Sequence, residues 1–224
     1  MNCKHKQLLR EDEAVKILGQ YGVPYPEHKL ASTPDAAVEI AQSLGFPVVL
    51  KILAKNVIHK SDAGGVSTGL NTSEKVHQAY KKIEKQVKET VPDADIQGML
   101  VCSQADEGLE LIVGGVHDPD FGPTVMFGLG GIFTEVLKDV RFRVVPLKRI
   151  DALEMIREIK GYSVLQGVRG QPPRDLEALA DLLISVSNIL NENPDIKELD
   201  LNPIRIYENG LMALDARVIC ENGN

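Results

Sequence analysis

Helical stripes alternate with short apolar runs along the whole chain, and this alternation predicts an α/β fold. The 224 residues are 43% apolar and 25% charged, a globular balance able to bury a core without disulfides or a structural metal. Lys plus Arg number 25 against 32 Asp plus Glu, for a net charge of −7. That charge argues against non-specific binding to nucleic acid or to anionic membranes, though not against a small basic pocket. The cysteines Cys3, Cys102 and Cys220 are sparse and lack any C-x-x-C spacing, which fits a reducing compartment. Met1 to Glu13 is polar and no run of about 18 apolar residues occurs, so a cytoplasmic chain is expected.

Ala14, Ile17, Leu18 and Tyr21 form one helical stripe that Gly22 stops. Thr33-Pro34 opens a second helix as N-cap and N1, and Gly45 closes it. Pro47–Leu53 reads as a buried strand and Val66–Leu70 as another. Ser73 is the expected cap of a long helix carrying Val76, Ala79, Tyr80, Ile83 and Val87, which ends before Pro92. Strands follow at Ile96–Ser103, Leu109–Val116, Thr124–Phe127 and Arg141–Leu147. Asp151 and Glu154 suggest a capping box for a helix through Ile159. Leu176, Leu179, Ala180, Leu183 and Leu190 mark a long helix, and strands are expected at Ile196–Leu201, Ile204–Tyr207 and Leu211–Ile219.

Three constellations carry chemistry. Lys51 lies inside an apolar strand, where an ammonium is costly unless an anion meets it. Downstream, Ile58-His59-Lys60-Ser61-Asp62-Ala63 leads into Gly64-Gly65-Val66, and paired glycines let backbone N–H groups approach a phosphate. These segments read as a phosphate cradle or, equally, as a snorkelling lysine beside an ordinary turn; the spacing fits neither a Walker A loop nor G-x-G-x-x-G. Gly128-Leu129-Gly130-Gly131-Ile132-Phe133-Thr134-Glu135 is either a second anion-binding turn or, on its own more readily, a tight structural one.

The third constellation is Glu198-Leu199-Asp200-Leu201-Asn202-Pro203 with Asp215. The strand period puts Glu198, Asp200 and Asn202 on one face. A two-residue type I′ turn at Asn209-Gly210 sets Asn202 opposite Arg217, in diagonal reach of Asp215. Asn and Asp oxygens suit Mg²⁺; the plainer reading is a solvated face on an edge hairpin. Among the histidines His59 stands out by its place in the cradle loop, since imidazole is a nucleophile that accepts phosphate near neutral pH. His5, His28, His77 and His117 read as ordinary polar residues.

Taken in order, Val49-Leu50-Lys51-Ile52, the His59 loop, Asp118-Pro119-Asp120-Phe121-Gly122-Pro123, Met126–Phe133 and Glu198–Pro203 resemble the β subunits of ADP-forming acetyl-CoA synthetases. These belong to the NDP-forming acyl-CoA synthetase superfamily. The resemblance runs from the first helix to Asp215-Ala216-Arg217 and implies an α+β, ATP-grasp fold, with two subdomains clasping a nucleotide between antiparallel sheets. It places an N-terminal helix at 1–22, one subdomain at 23–98 and the other at 99–224. It implies reversible conversion of acyl-CoA, ADP and phosphate to acid, CoA and ATP. A CoA-binding α subunit, in an α2β2 assembly, forms the acyl phosphate and holds most of the acyl-CoA and acid contacts.

The same resemblance implies roles for individual residues. Lys51 meets the nucleotide phosphates, beside a cradle of Lys60, Ser61, Gly64, Gly65 and Val66. His59 is the second phosphorylatable histidine of the acetyl-CoA branch, which the succinyl-CoA branch lacks. Leu100, Val101 and Cys102 form the hinge that meets adenine, and Glu110 is an acidic nucleotide contact beyond it. Asn202 and Asp215 hold Mg²⁺ for ATP or ADP, and Asp200 holds the phosphorylatable histidine where the succinyl branch has Glu. A stand-alone ATP-grasp carboxylate–amine ligase is the alternative; it needs neither His59 nor a partner. A nucleotide sensor without turnover is a third reading, against which the metal set and His59 argue.

Overall fold

The computed structural model describes residues 6–57, 60–131, 139–168 and 170–221. The chain forms two compact units, Pro26–Asp106 and a larger one made of Met1–Tyr25 with Glu107–Asn224. The first helix therefore belongs to the larger unit, and Val23 packs in that unit's core. Residues 99–106, expected in the second subdomain, stay with the smaller unit: 99–102 lie in a strand paired along both edges, and the Gln104 N–H donates to the Pro47 carbonyl at 3.2 Å.

Strand β1 (Lys6–Leu8) and helix α1 (Glu11–Gln20) open the larger unit. The smaller unit contains β2 (His28–Ala31), α2 (Pro34–Leu44), β3 (Val48–Ala54), β4 (Val66–Leu70), α3 (Ser73–Thr90) and β5 (Ile96–Ser103). Its antiparallel sheet has the order β2-β5-β3-β4. Leu50, Ile52, Met99 and Val101 face a core shared with Ala37 and Ala41 of α2 and Val76, Ile83 and Val87 of α3. The period of two sends Leu53, Leu100 and Cys102, with Val49, to a second small cluster. Thr33 caps α2 by accepting the Ala36 N–H at 3.2 Å. Thr72, not Ser73, caps α3, accepting the Lys75 N–H at 3.2 Å; Ser73 is already in the first turn.

The chain returns to the larger unit through β6 (Leu109–Asp118), β7 (Gly122–Leu129) and β8 (Val140–Val144). Helices α4 (Arg149–Arg157), α5 (Tyr162–Leu165) and α6 (Leu176–Glu192) follow, then β9 (Ile196–Ile206), β10 (Leu211–Ala213) and β11 (Ala216–Glu221). The sheet order is β1-β11-β9-β6-β7-β8, with β10 also on β9. Helix α6 lies close against the sheet: a Cβ on Gly115 would come within 2.5 Å of a Leu190 methyl. Helix α4 starts two residues before Asp151, which accepts the Lys148 N–H at 2.8 Å as its third residue. Pro203 does not divide β9; its carbonyl accepts the Leu214 N–H at 2.9 Å, and the Leu214 carbonyl, which a proline cannot serve in return, takes the Tyr25 hydroxyl at 3.1 Å instead. The return strand breaks instead, between Ala213 and Ala216. No helix among the described residues is long and apolar enough to cross a membrane.

Candidate functional site

In the smaller unit Lys51 is 7% exposed. It pairs in register with Val66 on one side and Leu100 on the other, and so shares a sheet face with Val49, Leu53, Leu100 and Cys102. One ammonium thus stands on an apolar floor, an arrangement that raises the strength of its pairing with an anion. Lys60 and Ser61 begin the adjoining loop, and His59 lies outside the described residues.

The glycines of this loop act differently from the expectation that their amides cradle phosphate. The Gly64 N–H donates to the Ser61 carbonyl at 3.0 Å and the Gly65 N–H to the Lys60 carbonyl at 2.7 Å. The Gly65 carbonyl in turn accepts the Ile52 N–H at 2.7 Å. Gly64 takes a φ of +69°, and a Cβ on Gly65 would fall 2.4 Å from Ile52 Cγ2. Both residues are glycine so that the loop can fold tightly onto β3.

Leu100, Val101 and Cys102 also differ from the hinge expected of them. They lie in the middle of β5, paired with β2 on one edge and β3 on the other, so the ladder uses their backbone groups. Val101 faces the helices, while Leu100 and Cys102 contribute side chains to the Lys51 face. The chain leaves this unit only after Asp106.

In the larger unit Asp200 sits on β9 between Arg217 of β11 and Gly114 of β6. Leu201 is opposite Ala216 and Ile204 opposite Ala213, so Asn202 falls directly opposite Asp215 rather than opposite Arg217. The cause is the turn. Tyr207 donates its N–H to the Gly210 carbonyl at 3.0 Å, which makes Glu208 and Asn209 the central pair and leaves Gly210, at φ +76°, just beyond it. The Gly210 N–H donates to Asp175 Oδ2 at 2.7 Å, tying the turn to the start of α6.

Burial pushes the Asp200 carboxyl above the usual carboxylate range; Arg217 opposes the shift and Asp215 adds to it. Arg217 also bonds Glu198 at 3.3 Å. It was not singled out from the sequence, although a charge between Ala216 and Val218 in an apolar strand is a readable signal. Glu110 on β6 is opposite Arg205 and pairs with it at 3.7 Å. Gly130 donates its N–H to the Glu110 carbonyl at 2.7 Å, and a Cβ there would lie 2.9 Å from the Glu110 backbone. Within the described residues the second glycine motif is thus a close-packed turn; its end, 132–135, lies outside them.

Asn202 is exposed and Asp215 half-buried, on facing backbone positions. No cluster of three or more His, Cys, Asp or Glu able to hold a metal occurs among the described residues. One amide and one carboxylate oxygen fit Mg²⁺, which takes few protein ligands and fills its octahedron with phosphate oxygens and water.

The ATP-grasp domain family matches residues 2–220. The chain is 49% identical over 211 residues to the acetate–CoA ligase [ADP-forming] I subunit β of Pyrococcus furiosus, covering 94% of this chain and 91% of that one. It superimposes with a TM-score of 0.94 and 48% identity on the dinucleotide forming acetyl-coenzyme A synthetase 1 of Ca. Korarchaeum cryptofilum in complex with coenzyme A, Ca-AMPCP and HgCl+, covering 96% and 94% of the two chains. A second structure of that synthetase, with coenzyme A and Mg-AMPPCP and its phosphohistidine segment pointing towards its nucleotide binding site, matches at TM-score 0.83 and 44% identity, covering 96% and 93%. The chain belongs to the ATP-grasp family and, within it, to the β subunits of ADP-forming acetyl-CoA synthetases.

Proposed function

We propose that this chain binds ADP or ATP with Mg²⁺ and, assembled with a CoA-binding α subunit, moves a phosphoryl group between phosphohistidine and nucleotide. The net reaction is acyl-CoA, ADP and phosphate to acid, CoA and ATP, in either direction. The observation that carries this reading is the placement of Asn202 directly opposite Asp215, two residues along β9 from the half-buried Asp200. The relatives' β-subunit names and the phosphohistidine segment of the Korarchaeum structure support the partner and the histidine chemistry.

Asn202 and Asp215 would hold the metal, which when bound supplies charge neutralisation at the phosphates. The Lys51 ammonium neutralises phosphate oxygens from its apolar floor. Asp200 accepts one imidazole N–H, which fixes the tautomer and leaves the other nitrogen to carry the phosphoryl group. His59 is the relay within this chain: its N–P bond breaks as an ADP β-phosphate oxygen bonds the phosphorus, and the imidazole returns neutral. Glu110 contacts the nucleotide, and Leu100 and Cys102 give it apolar surface. The two subunits assemble as α2β2, and the α subunit largely sets the acid preference.

The test is ATP formation from acetyl-CoA, ADP and phosphate by the chain co-purified with its α subunit. Activity that requires both subunits and falls to background in His59→Ala and Asp200→Asn is expected. Wild-type turnover by His59→Ala overturns the relay, and turnover by the β chain alone with an amine acceptor points to the carboxylate–amine ligase.

A further inference from the structure

Resting on the reading of Asp215 as a metal ligand, we propose that Tyr25 is a positioning residue that fixes Asp215 for Mg²⁺-nucleotide. Strand β10 ends at Ala213 and β11 begins at Ala216, so Leu214 and Asp215 occupy a two-residue break in the ladder. There the pairing with β9 is half lost, because Pro203 has no N–H to give the Leu214 carbonyl, and the backbone leading into a metal ligand needs another donor. The holding groups come from the segment that follows α1. The Ala213 N–H donates to the Pro24 carbonyl at 3.0 Å. Tyr25 Oη donates to the Leu214 carbonyl at 3.1 Å, on the peptide that leads directly into Asp215. On the opposite side the Leu214 N–H donates to the Pro203 carbonyl at 2.9 Å, next to Asn202. Leu214 is therefore clamped from both sides, and the two proposed ligands flank the clamp.

Tyr25 is itself fixed. Its ring packs against the large core, and its single hydroxyl proton is shared between the Leu214 carbonyl and the carboxyl of Glu11, which is 3% exposed at the start of α1. A buried polar group so placed is costly unless satisfied, and the tyrosine hydroxyl joins it to the break beside Asp215. The chain's own geometry thus links the first helix to the metal position without Tyr25 touching the metal. The ligand class is a nucleoside di- or triphosphate bound with a divalent cation.

The test is titration calorimetry of ADP binding to the full chain, with and without Mg²⁺, for wild type, Tyr25→Phe and Asp215→Ala. Phenylalanine keeps the ring and removes only the hydroxyl. The expected result for Tyr25→Phe is Mg²⁺-ADP affinity weakened about three- to tenfold, with metal-free ADP affinity within about twofold of wild type. The metal-free affinity also reports that the variant is folded. Equal weakening of both affinities, or no weakening, overturns the proposal while Asp215→Ala loses its Mg²⁺ enhancement. Retention of that enhancement by Asp215→Ala instead removes the ligand reading on which the proposal rests.

Discussion

Gly65→Ala is expected to destabilise the smaller unit through one contact. The new Cβ would lie 2.4 Å from Ile52 Cγ2 and 2.9 Å from the Lys60 carbonyl oxygen, well inside the 3.4 Å at which ordinary contact begins. Gly65 cannot retreat easily, because its N–H is bound to Lys60 and its carbonyl to Ile52. Ile52 is 1% exposed in the core beneath α2 and α3, so it has little room to turn. Overpacking of this kind costs about 1–3 kcal/mol. Ile52→Ala alone costs about 2–5 kcal/mol as a cavity, yet removes the methyl that clashes. The double variant should therefore lose less than the two single losses combined, with a coupling of about 1–2 kcal/mol. Urea denaturation followed by circular dichroism measures all three. Additivity within about 0.5 kcal/mol would refute the contact as the cause.

Asp175→Ala should cost about 1 kcal/mol, because Asp175 caps α6 through the Ala178 N–H and also holds the Gly210 turn. The N–H groups of Ala178 and Gly210 keep this carboxyl below the usual range, against the effect of burial. Its stabilisation is therefore complete above the unfolded carboxylate pKa, about 3.9, and is lost as pH falls through the lower folded value. An acid unfolding profile identical in wild type and Asp175→Asn would contradict that sign. Thr72→Ala should lower the thermal midpoint through loss of about 1 kcal/mol, whereas Ser73→Ala should be near neutral or mildly stabilising. The reverse order would restore Ser73 as the cap.

Long amphipathic stripes were the most legible part of the fold. Val76, Ala79, Tyr80, Ile83 and Val87 are all buried on α3, as their spacing requires. Thr33, Pro34 and Gly45 bound α2 as expected because capping and punctuation are local chemistry. The short strands β1 and β2 and the single-turn helix α5 escaped, since three or four residues carry no period and form only through tertiary pairing. The turn at Asn209-Gly210 shows a sharper limit. The residues announce a hairpin, but the ties of Tyr207 to Gly210 and of Gly210 to Asp175 shift it one place. That shift moves Asn202 from Arg217 to Asp215.

In the candidate site, residue types pointed to the chemistry better than to the means. Lys51 in an apolar strand did announce an ammonium on an apolar floor. Gly64 and Gly65 did not reveal that their amides serve the loop's own carbonyls, since a phosphate cradle and a tight turn use the same glycines. Tyr25 left no motif at all, because its role depends on Leu214, far away in the chain.

The most direct test of phosphoryl relay is the acid-labile phosphate content of histidine in the β chain. The αβ assembly is incubated with radiolabelled phosphate and acetyl-CoA, without nucleotide, and its peptides are mapped at neutral pH. Label on His59 that passes to ATP when Mg²⁺-ADP is added is the expected result. An active assembly that makes ATP while His59 never carries phosphate would contradict it.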